Sequence, residues 1–121
     1  MLKTIPLTPF PTELDVWVGG KELIPQIVKR YGKGIEHDVG QAFDDNDAFC
    51  SHTVTDTDSE LKGSDKIFCV YSRFSPDIVV HESLHVVHYL KDLYRAELEA
   101  EEWCAYMLQY IFNQTLNISN E

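Results

Sequence analysis

The stretch that decides the fold is Val79–Leu90, which reads VVHESLHVVHYL. Positions four apart lie nearly above one another on an α-helix, so His81 and His85 would project from one face. Apolar residues cover most of the remaining circumference, and a helix that is apolar nearly all round is packed inside a protein. The stretch therefore predicts a buried helix with a single histidine stripe, which the rest of the chain must cover.

The spacing of this His-Glu-x-x-His motif predicts a metal site. Two imidazoles one turn apart can hold one divalent ion, and Glu82 would stand beside it to take a proton from the attacking water. Ser75 is placed as a helix cap with Pro76 in the first turn, which puts both histidines in the middle of the helix. A short motif also arises by chance, and the alternative is a cluster of histidines that simply satisfy hydrogen bonds.

A zinc ion held by two histidines needs one more protein ligand and an open position for water. Glu102 is the predicted ligand, because the small Ala105 on the same helix face would permit close approach to the first helix. Glu101 stays open as the alternative, since it shares its face with Cys104 and Leu108. Either choice requires the chain to reverse within residues 93–100.

Three further side chains are candidates for the same site. His88 follows His85 by one turn and is expected to orient a ligand or contact substrate, with a hydrogen-bonded core histidine as an equal alternative. An oxyanion needs a further hydrogen-bond donor, for which Tyr106 is the first candidate and Tyr71 another. Packing is the alternative role for both tyrosines.

The remaining pattern predicts an α+β fold. We expect one small domain in which a three-stranded or slightly larger sheet packs on the HExxH helix and a C-terminal helix. The interpretations by range are an extended proline-rich lead-in at 1–12, strands at 14–18, 49–55 and 66–72, a helix at 21–31, a polar loop at 32–48, a final helix up to residue 112, and a frayed tail from 114 to 121.

Composition limits the classes of function. The 121 residues suffice for one domain, and the net charge of −10 would be repelled by nucleic acid and by anionic membranes. No apolar run is long enough to span a bilayer, and the first residues lack a signal-peptide core, which predicts a cytoplasmic protein. Cys50, Cys69 and Cys104 form no CxxC pair and are expected to be buried free thiols.

The motif His81-Glu-Ser-Leu-His85, followed by Glu102-Trp-Cys-Ala-Tyr106, resembles the HExxH…E arrangement of gluzincin-type zinc metallopeptidases. The length and the E-x-x-A-Y ending are similar to those of small metallopeptidase-like proteins encoded in bacteriophages and prophages. The resemblance covers roughly residues 66–112. It implies a zincin-like domain with zinc as cofactor, His81, His85 and Glu102 as ligands, and Glu82 as general base.

The same resemblance implies a peptide or protein substrate that pairs along the strand at 66–72. Two other functions stay open. The first is a non-catalytic zinc-binding protein, and the second is an acidic phage-type inhibitor or DNA mimic that acts through its acidic segment at 44–60. Neither the substrate nor the oligomeric state follows from the sequence.

Overall fold

The computed structural model describes residues 1–44, 47–94 and 101–118, with the backbone alone described at 101 and 102. These residues form an α+β fold, as predicted, in which a mixed sheet has helices on both faces. Two 3-10 turns, Lys21–Leu23 and Lys33–Ile35, lead into the first two α-helices. The elements in chain order are β1 (Leu2–Pro6), β2 (Glu13–Val18), α1 (Ile24–Tyr31), α2 (Glu36–Asp44), β3 (Ala48–Val54), β4 (Asp65–Tyr71), α3 (Pro76–Tyr94) and α4 (Glu101–Asn117).

The four strands lie in the order β1-β2-β4-β3. β1 pairs antiparallel with β2, β2 pairs parallel with β4, and β4 pairs antiparallel with β3. The continuous apolar run of β4 is explained by this central position, because every residue from Lys66 to Tyr71 is buried. The expectation that this strand forms an open edge for a peptide is wrong. The edge strand on this side of the sheet is β3.

The amino-terminal lead-in is extended, as predicted, but part of it is a sheet strand. Leu2–Pro6 pairs with β2, with Ile5 opposite Leu14. Pro6 occupies the last position of an edge strand, where the missing N–H group costs no hydrogen bond within the sheet. The prolines concealed this strand in the sequence because they interrupt its apolar pattern.

The segment that the sequence suggested was a polar loop contains a helix. α2 covers Glu36–Asp44 and buries Val39 and Ala42. Val39 packs with Phe68 and Val70 on the central strand, so tertiary contacts outweigh the poor helix propensity of this segment.

Two hydrophobic cores lie on opposite faces of the sheet. Alternation along β2 divides its side chains, with Leu14 and Val16 in one core and Trp17 in the other. The core against α1 and α2 includes Ile27, Tyr31 and Phe68, and the rings of Tyr31 and Phe68 stack with centroids 4.0 Å apart. The larger core lies between the sheet and the pair α3 and α4.

α3 and α4 are separate helices that pack together, as the metal-site hypothesis required. Met107 and Ile111 of α4 are fully buried with Val87 and Leu90 of α3 in the larger core. The end of α3 and the start of α4 meet at the ring of Phe10, which stacks on Tyr94 at 4.6 Å and meets Trp103 edge-on at 5.3 Å. The reversal was predicted within residues 93–100, of which 93 and 94 belong to α3 and 95–100 lie outside the described part of the chain.

The carboxyl-terminal segment differs from the predicted frayed tail. α4 continues to Asn117, and Thr115 and Ile118 are buried at 1% and 2% exposure. Apolar contacts of Ile118 with the larger core hold this end in place as far as the structure describes it. Among the described residues, no helix combines the length and apolar character that crossing a membrane needs.

Candidate metal centre

His81 and His85 lie one turn apart on the exposed side of α3. Their Nε2 atoms are 3.2 Å apart, and the ring planes meet at 71°. Two nitrogens bound to one tetrahedral zinc at 2.0–2.1 Å would stand about 3.3 Å apart. The pair therefore has the spacing that one shared ion requires, and two neutral rings at this distance can equally share a hydrogen bond.

Glu82 lies next to the pair, on the side of α3 that faces the sheet. Glu82 is only 7% exposed to solvent. Burial raises the pKa of its carboxyl group above the usual value, and the neighbouring His85 and His81 lower it by a smaller amount. A buried carboxyl group with a raised pKa, open to a cleft, is suited to accept and return a proton.

A cleft of about 330 Å³ separates the first turns of α3 from the start of β3. Its walls are formed by Asp47, Ala48, Asp77, Ile78, His81 and Glu82. Asp47 has a partial counter-ion in Arg73, 3.4 Å away, and the carboxylate of Asp77 accepts a hydrogen bond from Ser75 that lowers its pKa. His81 and Glu82 thus border an acidic opening. The sequence alone had not connected either aspartate with the site.

The predicted third ligand, Glu102, belongs to the first turn of α4, and its side chain lies outside the described part of the structure, as does that of Glu101. Ala105, which was expected to let the helices approach closely, is instead exposed. The physical reason is that α4 turns Met107 and Ile111, not Ala105, towards the core. Across the residues whose side chains are described, no group of three or more His, Cys, Asp or Glu is arranged to hold a metal.

The other predicted site residues lie in different surroundings: His88 is on α3 three residues after His85, Tyr71 lies within electrostatic reach of Glu82, and Tyr106 is on α4. Tyr106 is 63% exposed, and Tyr110, one turn further along the same side, donates a hydrogen bond of 2.8 Å to the carbonyl of Pro6 in β1. That side of α4 therefore faces β1, which is the edge strand on the far side of the sheet from β3. Tyr71 is 1% exposed in the core, where burial strongly raises its pKa, and His88 is exposed on α3.

A pair of thiols beneath Glu82 was not anticipated. Cys50 of β3 and Cys69 of β4 are directly opposite each other, with their Sγ atoms 3.1 Å apart. Both strands were predicted, but the local sequence does not determine the register between them. The contact between Cys50 and Cys69 could therefore not be predicted. The hydroxyl of Tyr89 on α3 donates to the carbonyl of Cys50 at 3.3 Å, which ties the histidine helix to the edge strand.

No protein-family model matches the chain, and neither a curated protein nor a solved structure is significantly similar to it. The function of the protein must therefore be inferred from the residues of this chain and from their geometry.

Proposed function

We propose that the protein is a zinc-dependent metallopeptidase whose centre is built on His81, Glu82 and His85 of α3. The observation that carries the proposal is the 3.2 Å separation of the two Nε2 atoms beside a buried Glu82. A sheet covered by an HExxH helix and a following helix is compatible with a zincin-like fold, which we include in the proposal.

The donor set fits zinc as far as the described side chains extend. Both imidazoles are exposed and His81 lines the cleft, so an ion and a substrate could both approach them. The third ligand remains a prediction; because the exposure of Ala105 removes the reason for preferring Glu102, Glu102 and Glu101 are now equal candidates. Glu101 and Glu102 are adjacent, so the structure of the backbone does not distinguish them. Measuring the zinc affinity of Glu101→Gln and of Glu102→Gln would show which carboxylate is the ligand.

When bound, zinc would supply a Lewis acid that polarises a peptide carbonyl and lowers the pKa of water. Glu82 would accept the proton of the attacking water and deliver it to the leaving amine. Among the described strands, β3 pairs only with β4, so its outer edge could add an extended peptide beside the cleft. A peptide or protein in the cytoplasm is the proposed substrate, and the free cysteines agree with a reducing compartment.

The first test is the metal content of the purified, zinc-supplemented full chain. We expect one zinc per chain in the native protein and a loss of zinc from His81→Ala and His85→Ala. His37→Ala is the matched control, because His37 is an exposed histidine on α2, away from the cleft. A native protein that binds no zinc would refute the proposal.

The second test is hydrolysis of fluorescently labelled casein and of a mixed peptide library. Glu82→Gln should retain zinc and lose about 100-fold or more of the hydrolysis rate, because it removes the base and leaves both imidazoles. Glu36→Gln, an exposed residue of α2, is the control. Zinc binding without hydrolysis of any substrate would instead favour the non-catalytic alternative.

A further inference from the structure

Cys50 and Cys69 occupy facing positions in a regular antiparallel pair. The register between β3 and β4 is unbroken from Ala48 opposite Tyr71 to Val54 opposite Asp65. Facing residues in such a pair have Cα atoms about 4.5–5.5 Å apart, which lies within the 4.4–6.8 Å range that disulfides span. With the two sulfurs 3.1 Å apart, a covalent bond requires a movement of about 1 Å and no change of register.

The two cysteines differ in access. Cys69 belongs to the central strand and is 1% exposed, whereas Cys50 is half-buried on the edge strand. Cys50 is therefore the sulfur nearer the edge of the sheet, with Cys69 directly beside it. Reversible dithiol oxidation requires a resolving thiol adjacent to the thiol that is oxidised first.

The surroundings disfavour a thiolate metal site. Burial, together with the neighbouring thiol and the charge of Glu82, raises the pKa of Cys50, so the thiol is protonated at neutral pH. Metal binding needs deprotonated sulfur and, among the described residues, would find only these two sulfurs. Cys50 and Cys69 are therefore better described as two hydrogen-bonded thiols that could be oxidised to a disulfide.

We propose that Cys50 and Cys69 form a redox-active pair that a hydroperoxide converts to a cross-strand disulfide. The thiolate of Cys50 attacks the O–O bond of hydrogen peroxide, hydroxide leaves and takes up the proton released by the thiol to form one water, and a sulfenic acid remains. The sulfur of Cys69 then attacks that sulfur, the S–O bond breaks, and a second water leaves with the thiol proton. The two thiols lose two hydrogens and two electrons, and one peroxide is reduced to two waters.

This proposal stands on the strand register and is independent of the proposed peptidase activity. Its structural consequence is a covalent tie between the edge strand and β4 directly below Glu82. Because Tyr89 donates to the Cys50 carbonyl, the new bond also restrains the contact between β3 and α3.

The test treats the reduced, desalted full chain with hydrogen peroxide and maps the products by mass spectrometry without reduction. Trypsin cleaves after Lys62 and Lys66, so the two cysteines fall in separate peptides that only a disulfide would join. We expect loss of two hydrogens, one joined peptide pair, and complete reversal by dithiothreitol. Cys104→Ser is the matched control, because it removes the only other thiol and should oxidise in the same way.

Three results would overturn the proposal. The first is a Cys50 that stops at sulfenic or sulfinic acid while Cys69 stays a free thiol. The second is a disulfide that involves Cys104 or joins two chains. The third is an unoxidised pair at a peroxide dose that consumes glutathione in the same tube. Cys50→Ser and Cys69→Ser should abolish the joined peptide, and if either fails to fold, the native chain and Cys104→Ser still decide the matter.

Discussion

Replacing Asp15 by asparagine should cost more stability than any exposed charge change in this protein. The carboxylate is fully buried and accepts hydrogen bonds from Thr4 at 2.9 Å, Arg30 at 2.8 Å and Tyr31 at 2.6 Å, with the Lys66 ammonium at 3.2 Å. Removing one partner of a buried ion pair costs about 3–5 kcal/mol. Arg30 and Lys66 keep some contact with solvent, at 18% and 10% side-chain exposure, so we expect about 3 kcal/mol.

Urea denaturation monitored by tryptophan fluorescence measures this loss, and its pH dependence tests the cause. Burial alone would raise the pKa of Asp15, but hydrogen bonds from Arg30 and Tyr31 and the charge of Lys66 outweigh it, so the pKa falls below 3.8. The stability from ionised Asp15 is therefore present above pH 3.8 and lost as pH falls through the lower folded-state value.

The matched control for this experiment is Asp47→Asn. Asp47 and Arg73 form a pair that is 56–62% exposed, so this change should cost less than about 0.5 kcal/mol. A loss below about 1 kcal/mol for Asp15→Asn at pH 7, or a loss that stays constant down to pH 3, would refute the reasoning.

Two further predictions concern the larger core and the cleft. Glu82→Gln should raise the free energy of unfolding at pH 7, because the raised pKa means that ionising Glu82 costs stability. The gain should vanish well below pH 4.5, where the carboxyl group is protonated in both states. A variant that is equally or less stable at pH 7 in urea denaturation would contradict this. Met107→Ala should lower the free energy of unfolding by about 2–5 kcal/mol in calorimetry, because Met107 is fully buried. Tyr106→Ala is the control and should change the free energy of unfolding little, because Tyr106 is 63% exposed. Similar losses of stability for the two variants would contradict the packing described.

Local signals in the sequence predicted the start of the histidine helix well, but the expectation that it is buried nearly all round is wrong, because Val80 and Leu84 are 41% and 47% exposed. Ser75 and Pro76 mark its start, and α3 begins at Pro76, with the Val79 N–H donating to the Ser75 carbonyl at 2.9 Å. The apolar run of β4 likewise predicted a strand covered on both faces. The pairing of His81 with His85 followed from helix geometry alone, because four residues make about one turn. These features depend only on residues close in sequence.

What the sequence did not reveal depends on contacts between distant residues. Leu2–Pro6 forms a strand only because it can pair with β2. α2 is stabilised by the packing of Val39 with Phe68 in the core. The meeting of Cys50 with Cys69 needs the register of two strands, which no local pattern encodes. The prediction at Ala105 was wrong for a related reason: helix periodicity gives the faces of α4, but not which face turns inward.

The parallel pairing of β2 with β4 has a consequence for synthesis on the ribosome. Leu14 lies opposite Ile67, so the amino-terminal hairpin must wait for roughly fifty more residues before its neighbour exists. At about 5–20 residues per second this delay lasts about 3–10 seconds, during which the apolar face of the nascent hairpin has no sheet to join. Silent codon changes that slow translation within that interval should therefore increase aggregation of the newly made chain.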